Sequence, residues 1–504
     1  MRARNRADRK CEKRTIFLNG ASSRLISRRW EDQMTTVARI WLTLCLTFIT
    51  YQQALFAQTV AETAQSDQAD APQQNQNAEK LPAIENDPAP EPISLPPNPF
   101  TGDLWNRSRI SGDWWGARSG LAEKGMTLDL FATQFYQGVA SGGRQEAWEY
   151  GGKIDYLANL DGAKAGLWQG FFVSMHAETR FGNSVNNIDG LLAPSNIAMQ
   201  FPDPNSDITS ITGLKFTQAL SENFAVYFGK INTLDEYPVR YGLFSQDPGM
   251  GRPGISGFMN TSLVFNPIAA RTVPYSTAAV GAAFLSNGAP FLTCTVFDPE
   301  ERAATGMQGL FSKGAVIVPD LILRTKFLDR PGIFNICGTY SSSRYRSFDP
   351  AAYLSIPPAL LLDDAFTPLE TGSWCVYTNC YQAVWVDSSD ETRTWGVFGQ
   401  FGVSDGNPNP IAYTANAGVG GRSMMQSRKL DSMGAGFFYV GLSDSFKALS
   451  APILRQQNEC GIELFYNWAF TPASRLTLDL QVASPSTQAF DAVIIPGLRM
   501  QLLF

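Results

Sequence analysis

The chain has 504 residues, of which 44% are hydrophobic and 17% are charged, against about 25% charged in an average soluble protein. Aromatic residues make up 12% and there are 43 glycines, a composition that favours strands and tight turns over helices. Residues 1–33 carry a net charge of +6, which leaves −12 for the remainder of a chain whose total is −6. This acidity argues against nucleic acid as a partner.

The first predicted element is an export signal over residues 1–57. A basic stretch is followed by an apolar run that begins at Ile40 and extends for about 12 residues, which is short for a membrane span of about 20. A basic region, a short apolar run and small residues after it are typical of a secretory signal peptide. Cleavage is expected after Ala57 or Ala61, with Met34 as an alternative start and an uncleaved anchor helix as the alternative to cleavage. On either interpretation the rest of the chain crosses a membrane.

Residues 58–99 are predicted to be a disordered linker. They are rich in Gln, Ala, Asn, Asp and Pro, and the stretch from Leu81 is especially rich in proline. Such a composition buries too little apolar surface to fold and favours extended polyproline conformations. We expect the linker to space the following domain from the leader, with contact to the cell wall as a second interpretation.

Residues 100–504 are predicted to form one domain with a short helix and many strands. Asp113 is the expected helix cap and Gly125 the expected stop, with the first strand beginning at Met126. About 15 segments of roughly 10 residues then alternate apolar and polar residues. The clearest is SRLTLDLQV at 474–482, which places leucines on one face and polar side chains on the other. We expect sixteen strands, because bacterial outer-membrane barrels contain an even number.

The alternation and the loop lengths together predict the fold class. Strands of ~9–11 residues with short turns at one end and long loops at the other are typical of outer-membrane barrels. A soluble β-sandwich also alternates, but here nearly every polar face mixes acidic and basic residues, and aromatic residues such as Tyr466 and Trp468 lie at strand ends. The sequence therefore predicts an all-β protein: a transmembrane antiparallel β-barrel with a water-filled lumen. In PGLRMQLLF, Leu498 and Met500 are assigned to lipid and Arg499 to the lumen.

Polar residues on the inward face are the candidates for lining the pore or contacting a solute. His176, Glu178 and Arg180 share one face of GFFVSMHAETRFG and are predicted to form a lumenal constriction. The same interpretation adds five further residues, namely Lys230, Arg324, Lys326, Asp479 and Arg499. The alternative for all of them is a wide, solvated part of the lumen. No catalytic role is predicted for His176, because the alternation already accounts for its position.

No metal or cofactor site is predicted. His176 is the only histidine and no CxxC spacing occurs, whereas zinc sites need several thiolates or imidazoles together. The DGNPNP stretch supplies one carboxylate, Asp405, and is typical of a turn. Cys375 and Cys380 in WCVYTNCY are equally consistent with a loop disulfide and with two free thiols.

A succession of stretches between residues 112 and 504 is similar to one known family. The stretches are GDWWGARSGLAEKGMTLDL (112–130), TQALSENFAVYFGKINTLD (217–235), WGVFGQFGVSDGNPNPI (395–411), GVGGRSMMQSRKLDSMGAGFFYVGLSDS (418–445), ELFYNWAFTPASRLTLDLQVASPS (463–486) and the closing GLRMQLLF. They resemble the carbohydrate-selective porins of the OprB type. Where that family has two glycines after the first tryptophan of its DWGG motif, Trp115 replaces the first glycine.

The resemblance implies a sixteen-stranded barrel in the outer membrane of a Gram-negative-type envelope, whose constriction admits mono- and small oligosaccharides. Such a channel is not an enzyme and needs no cofactor. The alternatives are a general diffusion porin without sugar selectivity and an outer-membrane barrel enzyme such as a lipase. The expected partners are sugars as transported solutes and outer-membrane lipid, with a homo-oligomer left open.

Overall fold

Sixteen antiparallel strands form a closed barrel in which each strand pairs with its neighbours in the sequence and β1 pairs with β16. The strands are β1 (Met126–Gly138), β2 (Trp148–Asp161), β3 (Phe171–Gly182), β4 (Ile208–Ser221), β5 (Phe224–Asn232), β6 (Ser276–Ser286), β7 (Ala289–Phe297), β8 (Val316–Phe327), β9 (Arg330–Arg346), β10 (Leu369–Val386), β11 (Thr394–Ser404), β12 (Ile411–Arg422), β13 (Ser432–Leu442), β14 (Glu459–Thr471), β15 (Ser474–Ser484) and β16 (Val493–Leu503). The predicted fold class and the expected sixteen strands are confirmed.

The structure is a computed structural model that describes residues 99–203, 206–236, 257–354, 356–357 and 366–504. The predicted leader (residues 1–57) and residues 58–98 of the predicted linker lie outside these ranges. No helix within the described ranges is long and apolar enough to cross a membrane.

The short helix expected before the first strand is α1 (Ala117–Glu123), which follows a 3-10 turn at Trp114–Gly116. The carboxylate of Asp113 accepts hydrogen bonds from the backbone N–H of Ser119 at 2.9 Å and from its hydroxyl at 2.7 Å. Gly125 then adopts a left-handed φ of 81°, and β1 begins at the next residue. The helices α2 (Thr261–Val264) and α3 (Asp444–Ser450) lie in loops.

The two faces of the wall differ as the alternation predicts. On β15, the side chains of Leu478 and Leu480 are 52% and 40% exposed, whereas those of Asp479 and Gln481 between and after them are buried. On β16, Leu498 is exposed and its neighbour Arg499 is buried. A wall that is apolar outside and polar inside separates lipid from an aqueous lumen.

The two ends of the barrel carry connections of different length. Two-residue turns join β4 to β5, β6 to β7, β8 to β9 and β14 to β15, while the longest connection, between β5 and β6, spans residues 233–275. Short turns mark the periplasmic end of an outer-membrane barrel and long loops the extracellular end. The segment before β1 therefore lies at the periplasmic end.

The main apolar cluster lies inside the barrel. Two stretches of the extracellular loops contribute to it, and we call residues 183–203 the first inner loop and residues 257–275 the second inner loop. Phe258 of the second inner loop packs on wall residues Phe398 and Phe465, with ring centroids 5.5 Å and 4.8 Å apart. The lumen is therefore partly filled by packed chain.

Cys375 and Cys380 do not form a disulfide. Both lie on β10, and neither is in a disulfide. Five residues of strand extend about 16 Å, beyond the ~7 Å limit for bridged Cα atoms. An odd separation also places the two side chains on opposite faces of the wall. Of the two alternatives from the sequence, the structure therefore excludes the disulfide.

The wall assignment predicts different outcomes for two substitutions at one position. Leu480→Arg places a charge on the outer face, which costs ~2–4 kcal/mol near the bilayer midplane, so we expect a smaller fraction of folded barrel. Leu480→Met keeps the face apolar and should fold like the parent. The measurement is the heat-modifiable fraction on electrophoresis after refolding into lipid. Equal folding of the two variants would contradict the outward orientation of Leu480.

Candidate functional site: the lumen and its inner loops

The second inner loop is held at both walls of the lumen by buried charged residues. Asp235 lies just after β5 and Tyr275 just before β6, so these two residues mark the start and end of the long connection. Both contact side chains of β3. The middle of the connection contacts β14, β15 and β16.

His176 of β3 binds the start of the connection. Its Nδ1 lies 2.8 Å from Oδ2 of Asp235, and its Nε2 lies 2.9 Å from Oδ1 of Asp155 on the neighbouring strand β2. The imidazole is buried, with 3% of its surface exposed. His176 thus links a loop carboxylate to a wall carboxylate.

Glu178, two residues further along β3, binds the end of the connection. Its carboxylate accepts a hydrogen bond from the hydroxyl of Tyr275 at 2.6 Å and forms an ion pair with the ammonium of Lys153. The same ammonium lies 3.5 Å from Oδ1 of Asp155. A buried charge is tolerated only when it is paired and hydrogen-bonded, and Glu178 meets both conditions.

Glu463 of β14 holds the middle of the second inner loop from the inner wall. Its two carboxylate oxygens accept hydrogen bonds from the backbone N–H groups of Met259 at 2.5 Å and Asn260 at 2.9 Å. Gln481 of β15 adds a third contact, since its Oε1 accepts from the side-chain amide of Asn260 at 3.1 Å. These contacts provide acceptors for loop N–H groups that form no β-sheet hydrogen bonds.

Arg499 of β16 completes this anchor. One terminal nitrogen of its guanidinium donates to the carbonyl of Gly257 at 2.9 Å and to Oδ1 of Asn467 at 3.1 Å, and its Nε donates to Thr477 at 3.1 Å. The side chain is fully buried. Asp479, on the inward face of β15, accepts a hydrogen bond from Gln481 at 3.1 Å.

The first inner loop is anchored in the same way. The carboxylate of Glu459 accepts hydrogen bonds from the backbone N–H groups of Leu192 at 2.7 Å and Ala193 at 2.9 Å. Arg180 of β3 donates to the carbonyls of Met199 at 2.9 Å and Ser206 at 3.0 Å. Buried charged side chains therefore position both inner loops.

The structure divides the sequence candidates into three groups. His176, Glu178, Arg180, Asp479 and Arg499 are inward and buried, and the three residues of β3 and Arg499 contact loop residues. Arg324 and Lys326 are exposed near the short turn after β8, where Arg324 donates to the carbonyl of Pro290 at 2.7 Å. The predicted trio on β3 contacts two different loops: His176 and Glu178 bind the connection between β5 and β6, and Arg180 binds the first inner loop.

The inward orientation expected for Lys230 stays a prediction. Its register partner Leu214 lies on the outer face, whereas Asn232, two residues further along β5, contacts the inward Glu178 at 3.4 Å. Lys230 lies near the end of β5, where its ammonium donates to the carbonyl of Ala303 at 3.2 Å. The pairing and the alternation therefore give opposite faces for this residue.

Several anchoring residues were not among the sequence candidates. Lys153 and Asp155 do lie on the inward face of the alternating stretch GGKIDYLANLD, so the period of two was the signal for them. Asp235 and Tyr275 lie in a connection without periodicity, and no local signal marks them. Glu463 alternates with exposed Ile462 and Leu464, so the same period could have found it.

One group of side chains has the composition of a metal site. The ligand atoms of Asp155, His176 and Glu178 all lie within 4.8 Å of one another. The ammonium of Lys153, however, contacts a carboxylate oxygen of Glu178 and lies close to Asp155. This cluster therefore contains its own cation, and the lysine occupies the region where a metal would lie.

A cavity of ≈ 280 Å³ adjoins the second inner loop. Phe201 and Tyr275 lie on one side with their rings stacked, the centroids 4.0 Å apart. Glu301, another lining residue, accepts hydrogen bonds from the backbone N–H groups of Tyr275 at 2.6 Å and Ala303 at 2.9 Å. Burial raises the pKa of the Glu301 carboxyl above its usual range.

Arg271 gives this cavity a cationic group. Its guanidinium lies 4.7 Å from the ring centroid of Tyr345 and 5.6 Å from that of Phe348. Burial lowers the pKa of Arg271 from its usual value. Its Nε is buried without a hydrogen-bond partner among the described residues. The cavity therefore combines aromatic surface with acidic and basic groups.

The comparisons with known proteins agree with this architecture. A model of the carbohydrate-selective porin family, OprB family, matches residues 145–504. The chain belongs to this family. The porin resembles the high-pH structure of Pseudomonas putida OprB with a TM-score of 0.68 and 18% identity, over 79% of this chain and 98% of that chain. At this identity the likeness supports the fold alone.

A second solved structure, the outer membrane channel DcaP of Acinetobacter baumannii, has a TM-score of 0.44 and 11% identity over 75% of this chain and 97% of that chain, which is too distant for further comparison. No curated protein matches the sequence significantly. Family and fold place the porin in the outer membrane of a Gram-negative bacterium, and they indicate a channel rather than an enzyme.

The Glu463 anchor of the porin predicts a change in conductance. Glu463→Ala leaves the N–H groups of Met259 and Asn260 without their acceptor, and each buried unsatisfied donor costs about 1–3 kcal/mol. We therefore expect the second inner loop to leave the wall in part of the molecules. In planar bilayers, single-channel conductance should become larger and noisier.

Leu464→Ala is the matched control for this experiment, because it truncates the neighbouring residue on the outer face of β14. Its conductance and current noise should equal those of the parent porin. Parental conductance and noise in a folded Glu463→Ala barrel would contradict the anchoring role.

Proposed function

We propose that the porin is a channel for the passive diffusion of mono- and small oligosaccharides. The observation that carries the proposal is the cavity beside the second inner loop, which places Arg271 and Glu301 near the rings of Phe201 and Tyr275. A sugar offers hydroxyl groups that both donate and accept hydrogen bonds, together with apolar C–H faces. Groups of both charge signs beside aromatic rings are complementary to that combination.

The size of the cavity and the demands of transport support the same solute class. At ≈ 280 Å³ the cavity is just below the ~300–1,000 Å³ range of sites for drug-sized ligands, which suits one or two sugar rings. A channel must also bind its solute weakly enough to release it. The guanidinium of Arg271 lines the cavity and donates to the carbonyl of Arg346 at 3.4 Å, so a small number of contacts can select the solute without trapping it.

Two alternatives remain to be separated from this proposal. A general diffusion porin would have the same barrel and anchored loops but no preference for sugars. A barrel lipase would need a base that holds a serine hydroxyl, whereas the two ring nitrogens of His176 contact carboxylates of Asp155 and Asp235. That arrangement favours a channel over hydrolysis.

Sugar-dependent block of single-channel current tests the proposal. Maltose or glucose should reduce the current of the parent porin in planar bilayers, while polyethylene glycol of similar size should not. Arg271→Met removes the guanidinium donors but keeps an extended apolar side chain. A hydrogen bond to a charged group contributes about 1.5–3 kcal/mol, so we expect sugar block to weaken by about 10-fold or more.

Arg344→Met is the matched control, since it removes an exposed arginine of β9 that does not line the cavity, and its sugar block should be parental. Block of the parent porin by polyethylene glycol and sugar alike would favour general diffusion. Release of fatty acid from added phospholipid by the purified porin would favour a lipase.

We also propose the domain organisation that the sequence indicates: a leader over residues 1–57, a spacer over 58–99 and the porin domain over 100–504. Protein isolated from cell envelopes should then begin near Gln58 or Glu62, and N-terminal sequencing is the measurement. Retention of Arg39 or earlier residues would contradict cleavage. Homo-oligomerisation and contact of the spacer with the cell wall stay predictions.

A further inference from the structure

An apolar crevice of ≈ 340 Å³ lies between the segment before β1 and the wall of the barrel. Strands β1, β2 and β3 supply its floor, and residues near α1 supply its other side. The outward side chains of the floor are apolar apart from one tyrosine, namely Leu128, Leu130, Tyr156, Ala158 and Met175. Leu157 and Asp129 also border the crevice, and the carboxylate of Asp129 is paired with Arg109 at 2.7 Å. The opposite side includes Ser111, Trp114, Arg118 and Phe504.

The floor of the crevice belongs to the outer face of the wall. Met175 precedes the inward His176 and is in register with Ala158, which is in register with Leu128. Leu130 and Tyr156 form the next outward pair. The outer face of an outer-membrane barrel contacts lipid, so the crevice is continuous with the lipid-facing surface at the periplasmic end.

One buried cation lines this apolar space. Arg118 is 4% exposed, and one terminal nitrogen of its guanidinium donates to the carbonyl of Leu128 at 3.2 Å and to O of Phe504 at 2.8 Å. Its charge also lies 4.3 Å from the ring centroid of Trp114. Its Nε is buried without a hydrogen-bond partner among the described residues. An anionic oxygen at this side of the crevice would pair with an otherwise incompletely satisfied guanidinium.

The residue next to Trp114 points to the same environment. Trp115 is fully exposed and has a φ of 57°, a left-handed backbone conformation that favours glycine. In water, a fully exposed indole is not stabilised by burial of its apolar surface. Tryptophan side chains are enriched at the membrane–water interface, where the ring contacts both lipid and headgroups. Trp115 thus fits a segment that lies at the periplasmic surface of the membrane.

We propose that the crevice is a binding site for one phospholipid of the periplasmic leaflet. One acyl chain lies along Leu128, Ala158 and Met175, and the phosphate accepts hydrogen bonds from Arg118. The apolar floor matches the acyl chains of a phospholipid, and the cationic side matches its phosphate. The site opens onto the outer surface of the wall, which contacts acyl chains. The site does not depend on which solute crosses the lumen.

Native mass spectrometry of the intact porin tests the proposal. The porin is released from detergent after incubation with 1-palmitoyl-2-oleoyl-phosphatidylglycerol, and we expect one lipid to remain bound. Ala158→Trp fills the floor of the crevice and should lower lipid retention at least 10-fold. Ala282→Trp is the matched control, because Ala282 lies on the outer wall of β6, two residues from exposed Val280, and its retention should be parental.

A second arm identifies the occupant. Arg118→Gln should weaken retention of the phospholipid and leave the heat-modifiable barrel intact, and oleate should bind more weakly than phosphatidylglycerol to the parent porin. If Ala158→Trp does not assemble, Leu128→Phe fills the same floor from β1 and should give the same loss.

Three outcomes would overturn the proposal: no retained phospholipid in the parent porin, equal retention in the crevice-filling and control variants, or oleate binding as tight as phosphatidylglycerol with no effect of Arg118→Gln. Sugar block of current should be parental in all these variants, so failure here is distinguishable from failure of the proposed sugar channel.

Discussion

The structure depends on the hydrogen bonding of irregular chain inside a closed barrel. The strands satisfy their own N–H and C=O groups, but a loop folded into the lumen has donors and acceptors that no ladder serves. Glu463 provides the main solution, because its two oxygens accept the N–H groups of Met259 and Asn260. Glu459 serves the first inner loop in the same way. These wall carboxylates decide where the loops lie, and hence what space is left for a solute.

This constraint changes the meaning of charge on the inward face. An inward charged residue of a porin is expected to contact water and solute. His176, Glu178 and Arg499 instead form hydrogen bonds with loop residues. In the proposed sugar channel, the groups that contact the solute come largely from the loops, as Arg271 and Glu301 do. The wall therefore fixes the shape of the lumen, and the loops supply most of the chemistry of the cavity.

The outer face follows the same alternation with a different solvent. Its apolar side chains contact lipid over most of the wall, but at the start of β1 the segment around α1 covers part of that face. The guanidinium of Arg118 holds this segment to Leu128 and Phe504. A charge beside an apolar wall is costly unless it is hydrogen-bonded. The Nε of Arg118 is buried without a partner among the described residues, and the phosphate of the proposed phospholipid would add an acceptor for this guanidinium.

The sequence by itself determined the barrel class and the two faces of β15 and β16, because an alternation with a period of two is a local property of each strand. The pattern showed about 15 strands, the even number typical of such barrels gave sixteen, and the similar stretches gave the family. Only the tertiary structure decided what the inward residues do. Asn260 and Gln481 are 221 residues apart, and no local pattern links an aperiodic loop to a distant strand.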